Sequence, residues 1–317
     1  MSLCSISQSS RVPNSTFFAK FFLDKVTAPA FAPIPAPITS WIGIDGVALV
    51  IGAGQGIGKT TALSFASAGA SAIVLSGRTV LTLTQTAKEI KQLNLPRPVE
   101  TLVVTADITN EEQVKNLFAI AQRKFGRIDY VANTAGLLGH APGPIADLDI
   151  QKIKDQLATN AVGFLIVLRV AIKFLLLQEP HSVPGISSLS HPPVRGSIVM
   201  LGSAATHQTI PQAAGYTMGK YAALGMMKTA ALDYARQGIR INEVAPGWTM
   251  TPGVTSGENN MEGVADMVAG TTPIGRWATP EEAADVVVFM SSPRASYAIG
   301  ESWVVGGGVS VKPTWIQ

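Results

Sequence analysis

In the stretch Gly215-Tyr216-Thr217-Met218-Gly219-Lys220-Tyr221 a tyrosine stands four residues ahead of a lysine, at the head of an Ala/Leu/Met-rich run. On a helix, residues i and i+4 lie one above the other on a single face, so phenol and ammonium reach a common point. A cation beside a phenol favours the phenolate and draws its pKa from about 10 towards the working pH, the tuning a general acid/base needs. The same pair also arises by chance, so its meaning depends on the elements that hold it.

From Gly46 onward short apolar runs alternate with stretches of helical periodicity, the pattern of strand-helix units on a parallel sheet. Strand-like VALVIGAG, SAIVLSGR, TLVVTAD, RIDYVANTAG, GSIVMLGSAA, RINEVAPG and ESWVVGGGVSV are separated by helical segments. Among these are one long region over 150–178, the Tyr216–Lys220 run itself, and PEEAADVVVFMS with Pro280 at its start. The series predicts an α/β fold: a single doubly wound Rossmann-type domain over residues 42–317, with a mostly parallel seven-stranded sheet flanked by helices. The segment 162–177, VGFLIVLRVAIKFLLL, is apolar around most of its circumference, but Arg169 and Lys173 argue against a membrane span. It is expected to be buried against the sheet and against a neighbouring subunit. EPHSVPGISSLSHPPVR (179–195) reads as a surface loop.

The 317 residues are 47% apolar and 14% charged, with 24 basic against 21 acidic side chains scattered without a basic block. That balance excludes nucleic acid as a main partner. The single cysteine, Cys4, excludes an internal disulfide, and His140, His181, His191 and His207 show no metal-ligand spacing. A metal-free site in a reducing, cytoplasmic setting is the expectation. Residues 1–41 form an N-terminal extension whose prolines (29, 33, 35 and 37) suit an extended linker rather than a spanning helix. Phe17, Phe18, Phe21, Phe22 and Val26 upstream follow helical spacing, which leaves open a disordered appendage, a mitochondrial targeting role or a membrane-surface role.

Ile51-Gly52-Ala53-Gly54-Gln55-Gly56-Ile57-Gly58 falls between the first strand and the first helix. Glycines there let the backbone turn tightly and approach a pyrophosphate, which the positive end of the helix stabilises. The expected ligand is a dinucleotide, held by Gly52, Gln55, Gly56, Ile57 and Gly58. At the end of the second strand an acidic residue would accept hydrogen bonds from the ribose of NAD, whereas a basic one neutralises the extra phosphate of NADP. The chain reads Ser76-Gly77-Arg78, which favours NADP over NAD.

The body of the chain, from about Val47 to Val311, resembles the short-chain dehydrogenase/reductase family in several motifs occurring in the family's order. GAGQGIG is similar to its cofactor loop, Asp107-Ile108 to its adenine contact, and Asn133-Thr134-Ala135-Gly136 to its Asn-Asn-Ala-Gly turn. Asn160 falls at the family's helix-borne catalytic asparagine, and Ser203 precedes Tyr216 at the spacing of its serine and tyrosine. Pro246, Gly247, Thr249 and Thr251 match the segment beside the nicotinamide. The resemblance implies that Tyr216 exchanges a proton with the substrate oxygen while hydride moves to or from the same carbon. It further implies that Lys220 lowers the tyrosine pKa and binds the ribose, that Ser203 donates a hydrogen bond to the carbonyl oxygen, and that Asn160 holds a water leading to solvent. The catalytic set is thus Asn160, Ser203, Tyr216 and Lys220; Tyr216 and Lys220 also belong to the cofactor set with Arg78, Asp107, Ile108 and Asn133.

Ile51, Thr134 and Gly306 depart from the family pattern, where Thr, Asn and Asp are usual; sheet-end stability is expected to feel this more than catalysis. The insertion at 179–195 and the proline-rich leader resemble those of fungal members that tailor secondary metabolites. A lid over about 247–275, with Leu137, Leu138 and the segment 206–212, is expected to set specificity. Trp248, Met250, Met261 and Met267 there would suit a small hydrophobic alcohol or ketone. The resemblance implies a homodimer or homotetramer. Two other readings share the fold: a nucleotide-sensing protein, whose mark would be loss of Ser203, Tyr216 or Lys220, and a non-redox isomerase or cyclase, which the sequence leaves open.

Overall fold

The computed structural model describes residues 42–138, 143–181, 193–255 and 264–311. The expectations for the extension 1–41, for His140, His191 and Met261, and for the middle of the 179–195 insertion fall outside the described residues.

β-branched runs without polar alternation form strands covered on both faces. β1 (Val47–Ile51), β2 (Ala72–Gly77), β3 (Glu100–Thr105), β4 (Tyr130–Asn133), β5 (Gly196–Leu201), β6 (Ile239–Pro246) and β7 (Ser302–Val305) make a seven-stranded sheet in the order β3-β2-β1-β4-β5-β6-β7. Every pairing is parallel, one step beyond the mostly parallel expectation. The order reverses between β1 and β4, so the crevice at the carboxyl ends of these strands is where such a sheet accepts ligands. β7 ends at Val305 and the glycines after it leave the sheet, so the last strand is shorter than its sequence run.

The helices follow in chain order: α1 (Gly56–Ala68), α2 (Val80–Gln92), α3 (Glu111–Phe125), α4 (Ile150–Leu157), α5 (Phe164–Leu176), α6 (Ala214–Tyr234), α7 (Pro252–Thr255), α8 (Val264–Thr271) and α9 (Pro280–Ser291). Their ends are set by local chemistry. Asn110 accepts a hydrogen bond from the Gln113 amide to open α3, whose first turn carries Glu111 and Glu112 and whose last carries Arg123 and Lys124, complementing the helix dipole. Pro280 starts α9 as expected, and Glu282 reaches back to the Thr279 amide at 2.8 Å.

The single helix expected over 150–178 is interrupted. A π-helical turn over Ala158–Gly163 separates α4 from α5 and places Asn160 inside it. The stretch Ile150–Leu176 is long and apolar enough to cross a membrane by length and composition. Its inward face, Val167, Leu168, Ala171 and Leu175, is instead part of the core against the sheet. Val162, Leu165 and Leu177 are exposed, alongside Met218, Tyr221 and Leu232 of α6. The 179–195 insertion leaves and returns through an antiparallel bridge between His181 and Val194.

Candidate active site

The loop between β1 and α1 is shaped by contact. Gly58 lies so near the Gly52 carbonyl that an added Cβ would stand 2.1 Å from it, which brings the first turn of α1 down onto the end of β1. No side chain caps the amino end of α1, so its first amides are free to bind an anion. Opposite, α6 approaches α4 and the π turn through two glycines one helical turn apart. A Cβ on Gly215 would meet Ile153 at 2.4 Å, and one on Gly219 would meet the Asn160 Cβ at 2.9 Å. These contacts fix the height of Tyr216 and Lys220, which follow the two glycines directly.

A cavity of about 420 Å³ lies between these two walls. The loop contributes Gly52, Gln55, Gly56, Ile57 and Gly58; the ends of β2 and β3 contribute Arg78, Asp107 and Ile108. Ser203, Tyr216 and Lys220 form the far wall, and Pro246, Gly247, Thr249 and Thr251 line the rim beyond β6. Asn133 is the exception. It sits wholly buried at the end of β4, paired with Ile51, and does not line the cavity; its neighbour Thr134 does, with its hydroxyl donating to the Ile51 carbonyl at 2.6 Å. Met250 and Met267 are exposed rather than lining; the apolar part of the wall is Leu137, Leu138, Ile210, Trp248 and Val254.

Ser203 stands in extended backbone before a short 3-10 turn (Ala204–Thr206), and its Oγ accepts from the Ala205 amide at 3.1 Å. Its hydroxyl is also the hydrogen-bond partner of the Tyr216 phenol. Lys220 is buried; its Nζ donates to the Leu201 carbonyl at 2.9 Å and lies 5.7 Å from the centre of the Tyr216 ring and 4.9 Å from that of Phe164. Burial draws the Lys220 ammonium down to about 8, against the pull of the Glu243 carboxylate. The phenol differs from the expectation drawn on the Tyr–Lys spacing. Desolvation pushes Tyr216 up, the Ser203 hydroxyl lowers it and Glu243 raises it again. One of the three ammonium protons of Lys220 goes to the Leu201 carbonyl, and burial outweighs the lowering by Ser203, so the phenol lies above its ordinary value.

The Asn160 side chain is engaged with the backbone. Its Oδ1 accepts from the Leu137 amide at 2.9 Å and its Nδ2 donates to the Leu137 carbonyl at 2.7 Å, so the side chain pins the strip of backbone after β4. Asn160 does not line the cavity, though its Oδ1 and the Lys220 Nζ both come within 3.6 Å of a Cβ placed on Gly136. Asp107 gives its Oδ1 to the Thr109 amide and hydroxyl at 2.9 and 2.8 Å; these bonds, then weakly Arg78, hold the carboxyl low against burial.

Arg240 and Glu243, both buried on β6, escaped sequence reasoning. Arg240 of β6 donates to the carbonyls of Met290, Ala295, Ser291 and Ser292, closing the end of α9. Glu243, three residues on, faces Lys220 and is pushed up to about 7 by burial. A charged residue inside an otherwise apolar strand was the available signal for both.

A family model described as enoyl-(acyl carrier protein) reductase matches residues 52–310. The chain belongs to the short-chain dehydrogenase/reductase family. Among its relatives, the short-chain dehydrogenase anuF of Penicillium roqueforti is 35% identical, over 85% of this chain and 97% of its own length. A cyclohexanol dehydrogenase of an Acinetobacter strain is 34% identical, over 84% and 95%. Of solved structures, actinorhodin polyketide ketoreductase with NADPH shares 27% identity at a TM-score of 0.72, covering 84% of this chain and 98% of that one. This short-chain dehydrogenase/reductase is therefore an oxidoreductase by family, with the Rossmann fold of its structural neighbours.

Proposed function

We propose that the chain is an NADP(H)-dependent oxidoreductase that interconverts a secondary alcohol and a ketone on a small hydrophobic substrate. The observation that carries this reading is the meeting of Ser203, Tyr216 and Lys220 on one wall of a cavity whose other wall is an uncapped helix end behind a glycine loop. The residues fit a dinucleotide. The α1 amides and the close Gly52–Gly58 approach suit a pyrophosphate, and Asp107-Ile108 suits the adenine end. Arg78 at the end of β2 suits a phosphate on the ribose rather than its bare hydroxyls.

A nicotinamide bound there supplies or accepts the hydride. The protein's part is to place and charge the substrate oxygen. Ser203 donates to that oxygen where negative charge grows. Tyr216, held protonated by burial, gives it a proton in reduction and takes one in oxidation. Lys220, charged in the interior, steadies the phenolate that proton loss leaves and would hold the ribose hydroxyls of a bound dinucleotide. Leu137, Leu138, Ile210 and Val254 exclude water and favour an apolar substrate. The alcohol and ketone chemistry named for the relatives accords with this reading, as does a role in secondary metabolism.

The test is to follow NADPH absorbance with a panel of apolar cyclic ketones. Tyr216→Phe is expected to remove at least about 99% of turnover, the usual worth of one general acid/base, while NADPH binding stays within about twofold. Turnover that survives in Tyr216→Phe refutes the assignment; product formed without NADPH oxidation points to the non-redox alternative. The exposed apolar residues Val162, Leu165, Met218 and Tyr221 on α5, α6 and the turn between α4 and α5 suit a second copy of the chain, giving a homo-oligomer.

A further inference from the structure

Behind the catalytic wall lies a carboxylate that the reaction as described does not use. Glu243 sits in the middle of β6, fully buried, with Met200 of β5 on one side and Ser302 of β7 on the other. Its Oε1 accepts from the Ser302 hydroxyl at 2.8 Å, and its Oε2 has no hydrogen-bond partner. A buried carboxylate with a bare oxygen is costly unless a cation answers it. Room for the group comes from Gly202, where a Cβ would stand 2.2 Å from the carboxyl carbon. Gly202 lies between Leu201, whose carbonyl accepts a hydrogen bond from Lys220, and Ser203. The carboxyl thus sits under the strand end that carries both.

We propose that Glu243 is the buried counter-charge of Lys220, a positioning residue tied to the surface through Ser302 and His207. This rests on the reading of Tyr216 and Lys220 as the proton-transfer pair. The direction of the chain follows from proton counting. Ser302 has one hydroxyl proton and gives it to Glu243, so the His207 Nε2, 2.9 Å from the Ser302 oxygen, carries a proton and donates it. His207 is exposed, so a donor chain runs from solvent to the buried carboxylate. The groups that bear on Glu243 come from three sides: Lys220, Lys228 and Tyr216 from α6, Ser302 from β7, and Thr206 from the 3-10 turn. Burial drives Glu243 up and Lys220 down, and each charge opposes that drift in the other.

The two groups should therefore titrate as a linked pair. Glu243 raises the proton affinity of Lys220, so removing its charge should make the lysine lose its proton at lower pH. The test is a heteronuclear NMR titration of lysine side-chain resonances in the full chain, with Lys220 identified through Lys220→Arg. In Glu243→Gln, which keeps the shape and an acceptor for Ser302, the Lys220 midpoint is expected to fall by about one pH unit, a tenfold drop in proton affinity. Ser302→Ala leaves the carboxyl but removes its donor, and is expected to move the midpoint the same way by a smaller amount. The alkaline limb of cyclohexanone reduction should follow the Glu243→Gln shift. A Lys220 midpoint unchanged in Glu243→Gln overturns the proposal, and if that variant does not fold, an unchanged midpoint in Ser302→Ala does so. Turnover retained by Tyr216→Phe would instead sink the proton-transfer reading, a failure visible apart from the lysine titration.

Discussion

Arg78 is where cofactor choice can be put to a quantitative test. It follows the last residue of β2, lines the cavity and is exposed. Asp107 across the crevice is committed to Thr109, so its carboxyl does not claim the guanidinium as a rigid partner. A hydrogen bond to a charged group contributes about 1.5–3 kcal/mol. Solvent screening at an exposed side chain argues for the lower end, about 1.5 kcal/mol, or roughly a tenfold change in affinity. Arg78→Ala is therefore expected to weaken NADPH about tenfold and NADH by about twofold or less, the latter having no phosphate for the guanidinium to meet. Trp248 on the cavity wall offers the assay, as its fluorescence should change when a dinucleotide binds. The preference for NADPH should also shrink as salt rises, because the pair is exposed. Equal losses for the two dinucleotides, or a preference indifferent to salt, would refute a phosphate-binding Arg78.

Gly58→Ala puts a methyl group 2.1 Å from the Gly52 carbonyl and should force α1 off the end of β1. Thermal unfolding is expected to show a loss of about 1–3 kcal/mol, together with weakened binding of both dinucleotides. The buried Glu243–Lys220 pair makes stability depend on pH in two opposite ways. Glu243, raised in the folded state from 4.5 to about 7, contributes stability that is complete below the unfolded value and is lost as pH rises through about 7. Lys220, lowered from 10.5 to about 8, contributes stability that is present above the unfolded value and is lost as pH falls through about 8. The denaturant midpoint should therefore pass through a minimum between these values, and Glu243→Gln should remove the acid arm; a flat midpoint on the acid side would contradict it. Leu165→Glu on the exposed face of α5 is expected to yield a monomer by light scattering, whereas an unchanged assembly would place the subunit contact elsewhere.

The parts of the site that were legible in the sequence are those whose geometry is local. A strand ending in glycines before a helix, or a phenol one turn from an ammonium, carries its spatial relation within a few residues, so α1 and α6 appeared where expected. The π turn did not, because the segment after it is apolar at almost every position, so the phase shift that one extra residue brings leaves no mark on the pattern. Its consequence is long-range: Asn160 is turned to bond the Leu137 backbone, 23 residues away in sequence. Asn133 and Thr134 show the same limit at a strand end. The β4 register pairs Asn133 with Ile51 in the interior and leaves Thr134 to face the crevice.

Glu243 shows what a motif-based reading leaves out. It stood in plain view in RINEVAPG, but a carboxylate in a buried strand has no meaning until the cation and donors around it are known. Those come from α6, from β7 and from the turn after Ser203, elements separated along the chain and joined only by the parallel sheet. The same arrangement bears on the Tyr216 phenol, which burial raises. The lysine that would lower the phenol is shared between the Leu201 carbonyl and the Glu243 charge, while Glu243 itself raises the phenol.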